Sequence, residues 1–381
     1  ASIESDADSA ASSYKEKNQM SLFQSELKIR TLNSIKERIN AILPYQSQAS
    51  NSYDDLSNEL LYLSAPTFGK GHGVSVDWSL PPYIEAKGIS EIYTKALPTF
   101  ETPSITADIE SDGESLQISM EELANFEVGS LGEQQLNTLI LWYRKWIKTQ
   151  KINASSLKHN NLGMETKLKE QARIHMGKCE LTLMRIEEGL QLIKNDSKVR
   201  KAFKLANKSM LVQQKRSPKE IRKAVIKDKK IVFAKEFTEN PNAKGIWRPF
   251  QIGFLLMCIS GAVDHNHDEH ELVDLIWFPT GGGKTEAYLG LAAFTILYSR
   301  FIYDKKSEGV QVLMRYTLRL LTAQQLQRAA TLICCLEVIR RENKIPGKDF
   351  SIGLWVGSKN TPNKRAHAIT KLNQLKKKRE Q

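Results

Sequence analysis

Leu272-Val-Asp-Leu-Ile-Trp-Phe-Pro-Thr-Gly-Gly-Gly-Lys-Thr285 is the stretch on which the reading of this chain turns. Leu272 to Trp277 is short, mostly apolar and closed by Pro279 and three glycines, a pattern that predicts a buried strand. An apolar helical run, Glu286 to Leu297, follows at once. Strand, glycine turn, Lys-Thr and helix is the order of a phosphate-binding loop. Gly281, Gly282 and Gly283 would let the backbone curl until its N–H groups point at phosphate oxygens. The helix N-terminus adds partial positive charge, Lys284 reaches the outer phosphates, and the Thr285 hydroxyl holds Mg²⁺. The stretch predicts a nucleoside triphosphate site.

Upstream, Trp247-Arg-Pro-Phe-Gln251 opens a second apolar helical run, Ile252 to Ile259, with Pro249 suited to its first turn. A glutamine amide offers a donor and an acceptor, which match the N6 amine and N7 of adenine and mismatch guanine. ATP is therefore expected rather than GTP. The structural alternative is a helix cap with a surface glutamine.

The strict pattern G-x-x-x-x-G-K-[ST] is not met, because Phe278 stands where its first glycine belongs. Pro279 to Thr285 instead resembles the shorter Pro-Thr-Gly-x-Gly-Lys-Thr loop of superfamily 2 helicases, and Arg248-Pro-Phe-Gln251 is similar to their adenine-reading glutamine motif. The resemblance implies a nucleotide-contacting set of Arg248, Gln251, Thr280, Gly281, Gly282, Gly283, Lys284, Thr285 and Glu286. Gly309 to Gln325 reads as strand, turn and amphipathic helix. There the helicases carry Pro-Thr-Arg-x-Leu-x-x-Gln against the sugar-phosphate backbone. Arg319, Leu321 and Gln324 match in spacing, while Thr317 and Leu318 replace Pro-Thr. A further expected strand, Ser351 to Val356, leads to Lys359, where the next such contact would lie. The implied nucleic-acid contacts are Thr317, Arg319, Gln324 and Lys359.

Leu275 to Leu291, followed by Met314 to Gln325, resembles the DrmA family, the helicase-like component of the bacterial DISARM anti-phage defence systems. That resemblance covers residues 245–360. It implies a cytoplasmic ATP-dependent DNA helicase or translocase that uses ATP and Mg²⁺. Its DNA would be single-stranded or carry a single-stranded end, and a second defence-system protein subunit would be its partner.

At 381 residues the chain has room for two or three domains. It shows no leading apolar segment, and its longest apolar runs suit a packed core better than a membrane. Cys179, Cys258, Cys334 and Cys335 lack ligand spacing and read as buried thiols in a reducing compartment. Net charge is +12, unevenly spread. Residues 1–130 hold 9 Lys/Arg against 20 Asp/Glu, and residues 131–381 hold 46 against 23. The later part is thus suited to a polyanion. Nine Lys/Arg crowd residues 215–235 against two acids, either tracking a nucleic-acid backbone or forming a solvated helix face. Lys376 to Arg379 carries the same two readings.

The expected organisation is an acidic accessory region at 1–130, with a helix from about Asn18 to Leu43, and a helical domain at 131–216. A basic connecting segment at 217–245 and the first ATPase domain at 246–381 follow. The fold class expected is α/β, a partial RecA-like P-loop domain with a parallel sheet, preceded by a mostly helical N-terminal region. His265, His267 and His270 among four carboxylates invite a metal reading, but their place between helix and strand suits a solvated loop. No Asp-Glu box and no arginine finger follow the loop, so the chain is expected to be the N-terminal part of a longer protein, and this piece alone is expected to bind ATP weakly without turning it over. The other reading is a nucleic-acid-binding scaffold whose nucleotide site is only structural or regulatory.

Overall fold

The computed structural model describes residues 26–31, 42–44, 52–63, 65, 67–79, 88–95, 109–111, 113–159, 162–216, 222–227, 230–233, 235–277, 283–303, 307–316, 319–355, 362 and 364–380, with backbone alone at 319–323 and 378–380. They fall into two units, residues 1–104 with 151–175, and residues 105–150 with 176–381.

The first unit contains β1 (Lys28–Arg30), α1 (Tyr53–Leu61), β2 (Ser75–Trp78) and β3 (Glu91–Lys95). The strands form an antiparallel sheet in the order β1-β3-β2. Glu91 of β3 faces Arg30 across the ladder and pairs with both Arg30 and Lys28. Ser52 caps α1 by accepting from the Asp55 N–H at 3.2 Å. The helix expected from Asn18 to Leu43 is not what forms at its described positions. Lys28–Arg30 is a strand, and Ile42 bridges Ile89. Alternating charge and apolar side chains at Lys28, Ile29 and Arg30 fit a pleat as well as a helix, and pairing with β3 decided between them.

The second unit is built mainly of helices. A short hairpin, β4 (Glu110–Ser111) and β5 (Glu114–Ser115), precedes β6 (Ile118–Ser119) and α2 (Met120–Ala124). The long helices α3 (Leu131–Ser156), α4 (Leu162–Asn195) and α5 (Ser197–Lys215) follow, although their ends at 151–175 belong to the first unit. Asp196 starts α5 by accepting from the N–H groups of Lys198 and Val199. Next come a hairpin of β7 (Ala224–Lys227) and β8 (Lys230–Phe233), the short strand β9 (Ile246–Trp247), α6 (Pro249–Met257) and α7 (Ile259–Val263). After a 3-10 turn at Asp268–Glu271 the chain continues through α8 (Lys284–Tyr303), α9 (Arg319–Glu342) and α10 (Arg365–Glu380).

Helix α5 packs against α2, α8 and α9, and α6 packs against α8. Their contacts bury Phe203, Trp247, Leu255, Phe294 and Leu336 in one apolar core. Trp247 is 1% exposed, and its indole N–H donates to Asn207 Oδ1 at 2.7 Å. The Asn207 amide in turn donates to the Phe203 carbonyl at 2.8 Å. A Cβ on Gly290 would come within 2.8 Å of the Trp247 ring, so glycine is what lets α8 approach the indole.

The expected parallel sheet is not what these residues build. Every described sheet is small and antiparallel, with one of three strands and three of two. The described residues Leu272–Trp277, Val310–Tyr316 and Ser351–Trp355, read above as strands, belong to no described ladder. The region before residue 246 is helical from α3 to α5, whereas its earlier described part carries the three-stranded sheet. The inward and outward faces of the first segment explain the difference. Val273, Leu275 and Trp277 are 90%, 87% and 84% exposed, while Asp274 turns inward. Arg185 of α4 holds Asp274 with two parallel bonds of 2.7 and 2.8 Å and Glu269 with a third of 2.5 Å. With a side-chain period of two, anchoring the polar residue inside sends its apolar neighbours outside. An apolar run shows strand propensity, but a ladder also needs a partner strand, and among the described residues none pairs with this one.

The Arg185 pairing lowers the carboxyl pKa of Asp274 from its ordinary value, against the opposing effect of burial. Burial and Asp274 push the nearby Cys258 thiol up, so it stays protonated. Of the four cysteines expected to be buried, only Cys335 is; Cys179 and Cys258 are half-buried and Cys334 is exposed. Among the described residues no helix is long and apolar enough to cross a membrane.

Arg185→Met strands Asp274 and Glu269 without their counter-charge, and should cost about 3–5 kcal/mol in urea unfolding at neutral pH. Because Asp274 is depressed in the folded protein, its pairing stabilises above the unfolded carboxyl pKa and is lost as pH falls through the folded value. The gap between wild type and variant should therefore narrow in acid. Equal stability of the two at pH 7 would show that the triad does not hold this segment.

Candidate functional site

The site begins where β9 pairs with β6, Ile118 opposite Trp247 and Ser119 opposite Ile246. Burial of Trp247 fixes the direction in which the next residues leave. Arg248 has extended geometry (φ −72°, ψ 142°) and serves as N-cap of α6, and Pro249 takes the first position, where no N–H is needed. Gln251, the third residue, is 4% exposed and bends back so that its Oε1 accepts from the Arg248 N–H at 2.8 Å. Its Nε2 donates to the Gly283 carbonyl at 2.8 Å. One amide thus ties the start of α6 to the start of α8.

Gly283 sits at φ +87°, a conformation that strains residues with a side chain. A Cβ there would lie 2.6 Å from Gln251 Nε2. Lys284 and Thr285 form the first turn of α8 and are half-buried. Glu286 pairs with Arg328 of α9. Burial lowers the Arg328 pKa by disfavouring its charged form, and Glu286 supplies the compensating charge.

Beside this junction lies a cavity of about 590 Å³, lined by Arg248, Gln251, Gly283, Glu286 and Arg328 together with the amides of Gln213, Gln214, Asn240 and Asn242. The volume is within the range of small-molecule sites, and the lining is unusually polar for one. Two of the amides are themselves fixed. Gln214 accepts from the Gly245 N–H at 3.3 Å, and Gln213 donates to the Arg328 carbonyl at 3.4 Å. A second polar group gathers on Tyr288, one turn along α8 from Thr285. The Tyr288 hydroxyl is 3.0 Å from Thr285 Oγ1, 2.9 Å from the Tyr316 hydroxyl and 3.4 Å from Gln325 Oε1.

Of the residues singled out in the sequence, Arg248, Gln251, Gly283 and Glu286 meet at this cavity, with Lys284 and Thr285 adjoining. Gln324 is exposed on α9, and Arg319 opens that helix. Thr280, Gly281, Gly282, Thr317 and Lys359 lie outside the described residues, as does the side chain of Arg319. Residues passed over in the sequence are Arg328, Tyr288, Tyr316, Gln325 and the four amides. The spacing of three between Thr285 and Tyr288, and between Gln325 and Arg328, was their available signal, because such pairs share a helix face.

Among its described residues, the basic stretch after α5 forms exposed strands rather than a helix. In β7 and β8, Val225 faces Val232, Ile226 faces Ile231 and Lys227 faces Lys230, and all eight strand residues are exposed. Arg222 lies over the rings of Phe233 and Phe237, 4.2 and 5.4 Å from their centres. Helix α10, which carries Lys376 and Lys377, is exposed at every position whose side chain is described. At the histidine loop, His265 meets His270 at 3.2 Å and Tyr303 at 2.9 Å, while His267 reaches Glu188. Among the described residues no cluster of three or more His, Cys, Asp or Glu is arranged to hold a metal.

No protein-family model matches the chain. It is similar to the DISARM protein DrmA of Bacillus paralicheniformis. The two are 32% identical over 356 residues, 90% of this chain and 29% of that relative. This likeness links the chain to the DISARM protein, of whose length it spans less than a third.

Gly283→Ala should break the tie between α6 and α8, since strain at positive φ and collision with Gln251 act together. The expected cost is about 1–3 kcal/mol. Amide exchange in the first turn of α8 should accelerate in the variant while that of α5 is unchanged; unaltered exchange there would mean that the Gln251 bridge does not order this turn.

Proposed function

We propose that this chain is the nucleotide- and nucleic-acid-binding part of an ATP-dependent DNA helicase or translocase of DISARM anti-phage defence, cytoplasmic and working with a second defence-system subunit. The observation that carries this reading is the Gln251 bridge. It brings an adenine-suited amide to the glycine–Lys-Thr turn, beside a cavity of ligand size. Similarity to DrmA supports the defence role.

The amide is engaged at both ends and still has capacity. Each end uses one hydrogen bond within the protein, which leaves a second N–H and a second lone pair. Gln251 can therefore read adenine and hold Gly283 at the same time. Lys284 and the N-terminus of α8 would offset phosphate charge, and the Thr285 hydroxyl would take Mg²⁺. Bound ATP would supply the phosphoanhydride whose hydrolysis drives movement. Arg248 and Arg328 on the cavity wall would offset the charge of an anionic ligand, with Glu286 paired directly to Arg328. On the nucleic-acid side, Arg319 and Gln324 would meet the strand from α9. The exposed hairpin, with Arg222, Lys223, Lys227 and Lys230 among apolar side chains, suits a phosphate backbone and unstacked bases.

The scaffold reading is favoured by one feature, the Glu286–Arg328 pair and the Gln251 bonds that close the site without a nucleotide. ATPase activity of the full-length protein separates the two. Single-stranded DNA should stimulate turnover, and Lys284→Ala should lower the stimulated rate by about a hundredfold or more. Turnover indifferent to DNA and to Lys284 would leave the scaffold reading. In DNA-binding titrations, Lys227→Ala with Lys230→Ala should weaken affinity and reduce the slope of log K against log salt by about 2. An unchanged slope would remove the hairpin from the interface.

A further inference from the structure

The hydroxyl of Tyr288 lies within hydrogen-bond reach of three oxygens and carries one proton. Thr285 Oγ1 is on its own helix, the Tyr316 hydroxyl is in the segment before α9, and Gln325 Oε1 is on α9. Burial, with the bond to Tyr288 second, raises the Tyr316 phenol pKa, so Tyr316 remains a protonated donor. Gln325 Oε1 only accepts. When Tyr316 donates to Tyr288, two proton arrangements follow. In one, Tyr288 donates to Thr285, and the contact with Gln325, the longest of the three at 3.4 Å, lacks a proton. In the other, Thr285 and Tyr316 both donate to Tyr288, and Tyr288 donates to Gln325. Only the second satisfies all three contacts, because each hydroxyl then gives one proton.

We infer that Tyr288, Tyr316 and Gln325 form a hydroxyl relay through which a cation on Thr285 tightens the start of α9, the helix proposed to grip nucleic acid. The inference rests on the proposed role of Thr285 as a Mg²⁺ ligand. With its lone pairs committed to a cation, Thr285 Oγ1 would point its proton away from that charge, toward Tyr288. Tyr288 then has only Gln325 to donate to, and a bond between α8 and α9 closes. Nothing is transferred between heavy atoms; each proton stays on its own oxygen and rotates. Helix α9 carries Gln324 beside Gln325 and opens with Arg319, so the relay ends within two turns of both proposed strand contacts. The Glu286–Arg328 pair joins the same two helices and leaves the relay as the part that responds to the cation. Tyr288 and Tyr316 are positioning residues here, acting through Thr285 and Gln325.

The test is a linkage measurement on the full-length protein that needs no turnover. Affinity for a fluorescein-labelled oligothymidylate is read by anisotropy, with and without Mg²⁺ and a non-hydrolysable ATP analogue, and binding of the analogue is measured separately by calorimetry. Wild type should bind the oligonucleotide about tenfold more tightly when the analogue and Mg²⁺ are present. Tyr288→Phe, which removes the proton given to Gln325, and Gln325→Leu should each reduce that factor below about twofold, with analogue affinity in the absence of DNA unchanged. A factor near one in wild type that binds both ligands, or the full factor in both variants, overturns the relay and leaves the nucleotide site standing. Failure of wild type to bind the analogue at all overturns the nucleotide reading, and the relay with it.

Discussion

The buried indole of Trp247 is the contact on which the second unit depends. Three helices meet around it, α5 through Asn207, α8 through Gly290 and α6 through the chain that continues from it. A large aromatic with one polar atom suits that place. Its ring fills the space between helices, and its N–H has one buried partner, which keeps a polar atom from being stranded. Truncation would remove the filling and leave Asn207 Oδ1 without the indole donor, a combination worth about 3–5 kcal/mol. The next residue, Arg248, is the cap from which Gln251 reaches to Gly283, so core packing and site geometry share one segment.

Polar bonds do the remaining work of position. Arg185 draws Asp274 and Glu269 against α4, and that sets which face of the segment before the glycine turn is inward. Gln251 holds the far end of the turn, and Glu286 with Arg328, and Tyr288 with Tyr316, join α8 to the α9 region. Each joint uses a buried or half-buried group whose loss would leave its partner unsatisfied. The arrangement is correspondingly specific in geometry even where the net stabilisation of each bond is small.

Apolar side chains at Val273, Leu275 and Trp277 remain exposed as a consequence. They were the basis for expecting a buried strand and a parallel sheet, and the same residues now show why that expectation failed. Hydrophobicity says that a segment gains by burial; it does not supply the neighbour that would bury it. The basic hairpin gives a similar lesson. Its charge was plain in the sequence, where a solvated helix face was one reading, but the pairing of Val225 with Val232 makes Ala224–Lys227 and Lys230–Phe233 strands.

By itself the sequence determined the helices that begin at Pro249 and Lys284, because a proline at a first turn and a glycine before an apolar run act locally. It also determined that Gln251, Gly283, Lys284 and Glu286 deserved notice as a group, and that charge would concentrate after residue 131. Tertiary structure alone decided that Gln251 binds the Gly283 carbonyl, that Arg328 answers Glu286, and that Asp274 rather than its apolar neighbours turns inward. Those contacts join residues 32 to 89 positions apart. Local pattern fixes which elements form, whereas a hydrogen bond across such a distance exists only when packing has brought its two ends within about 3 Å.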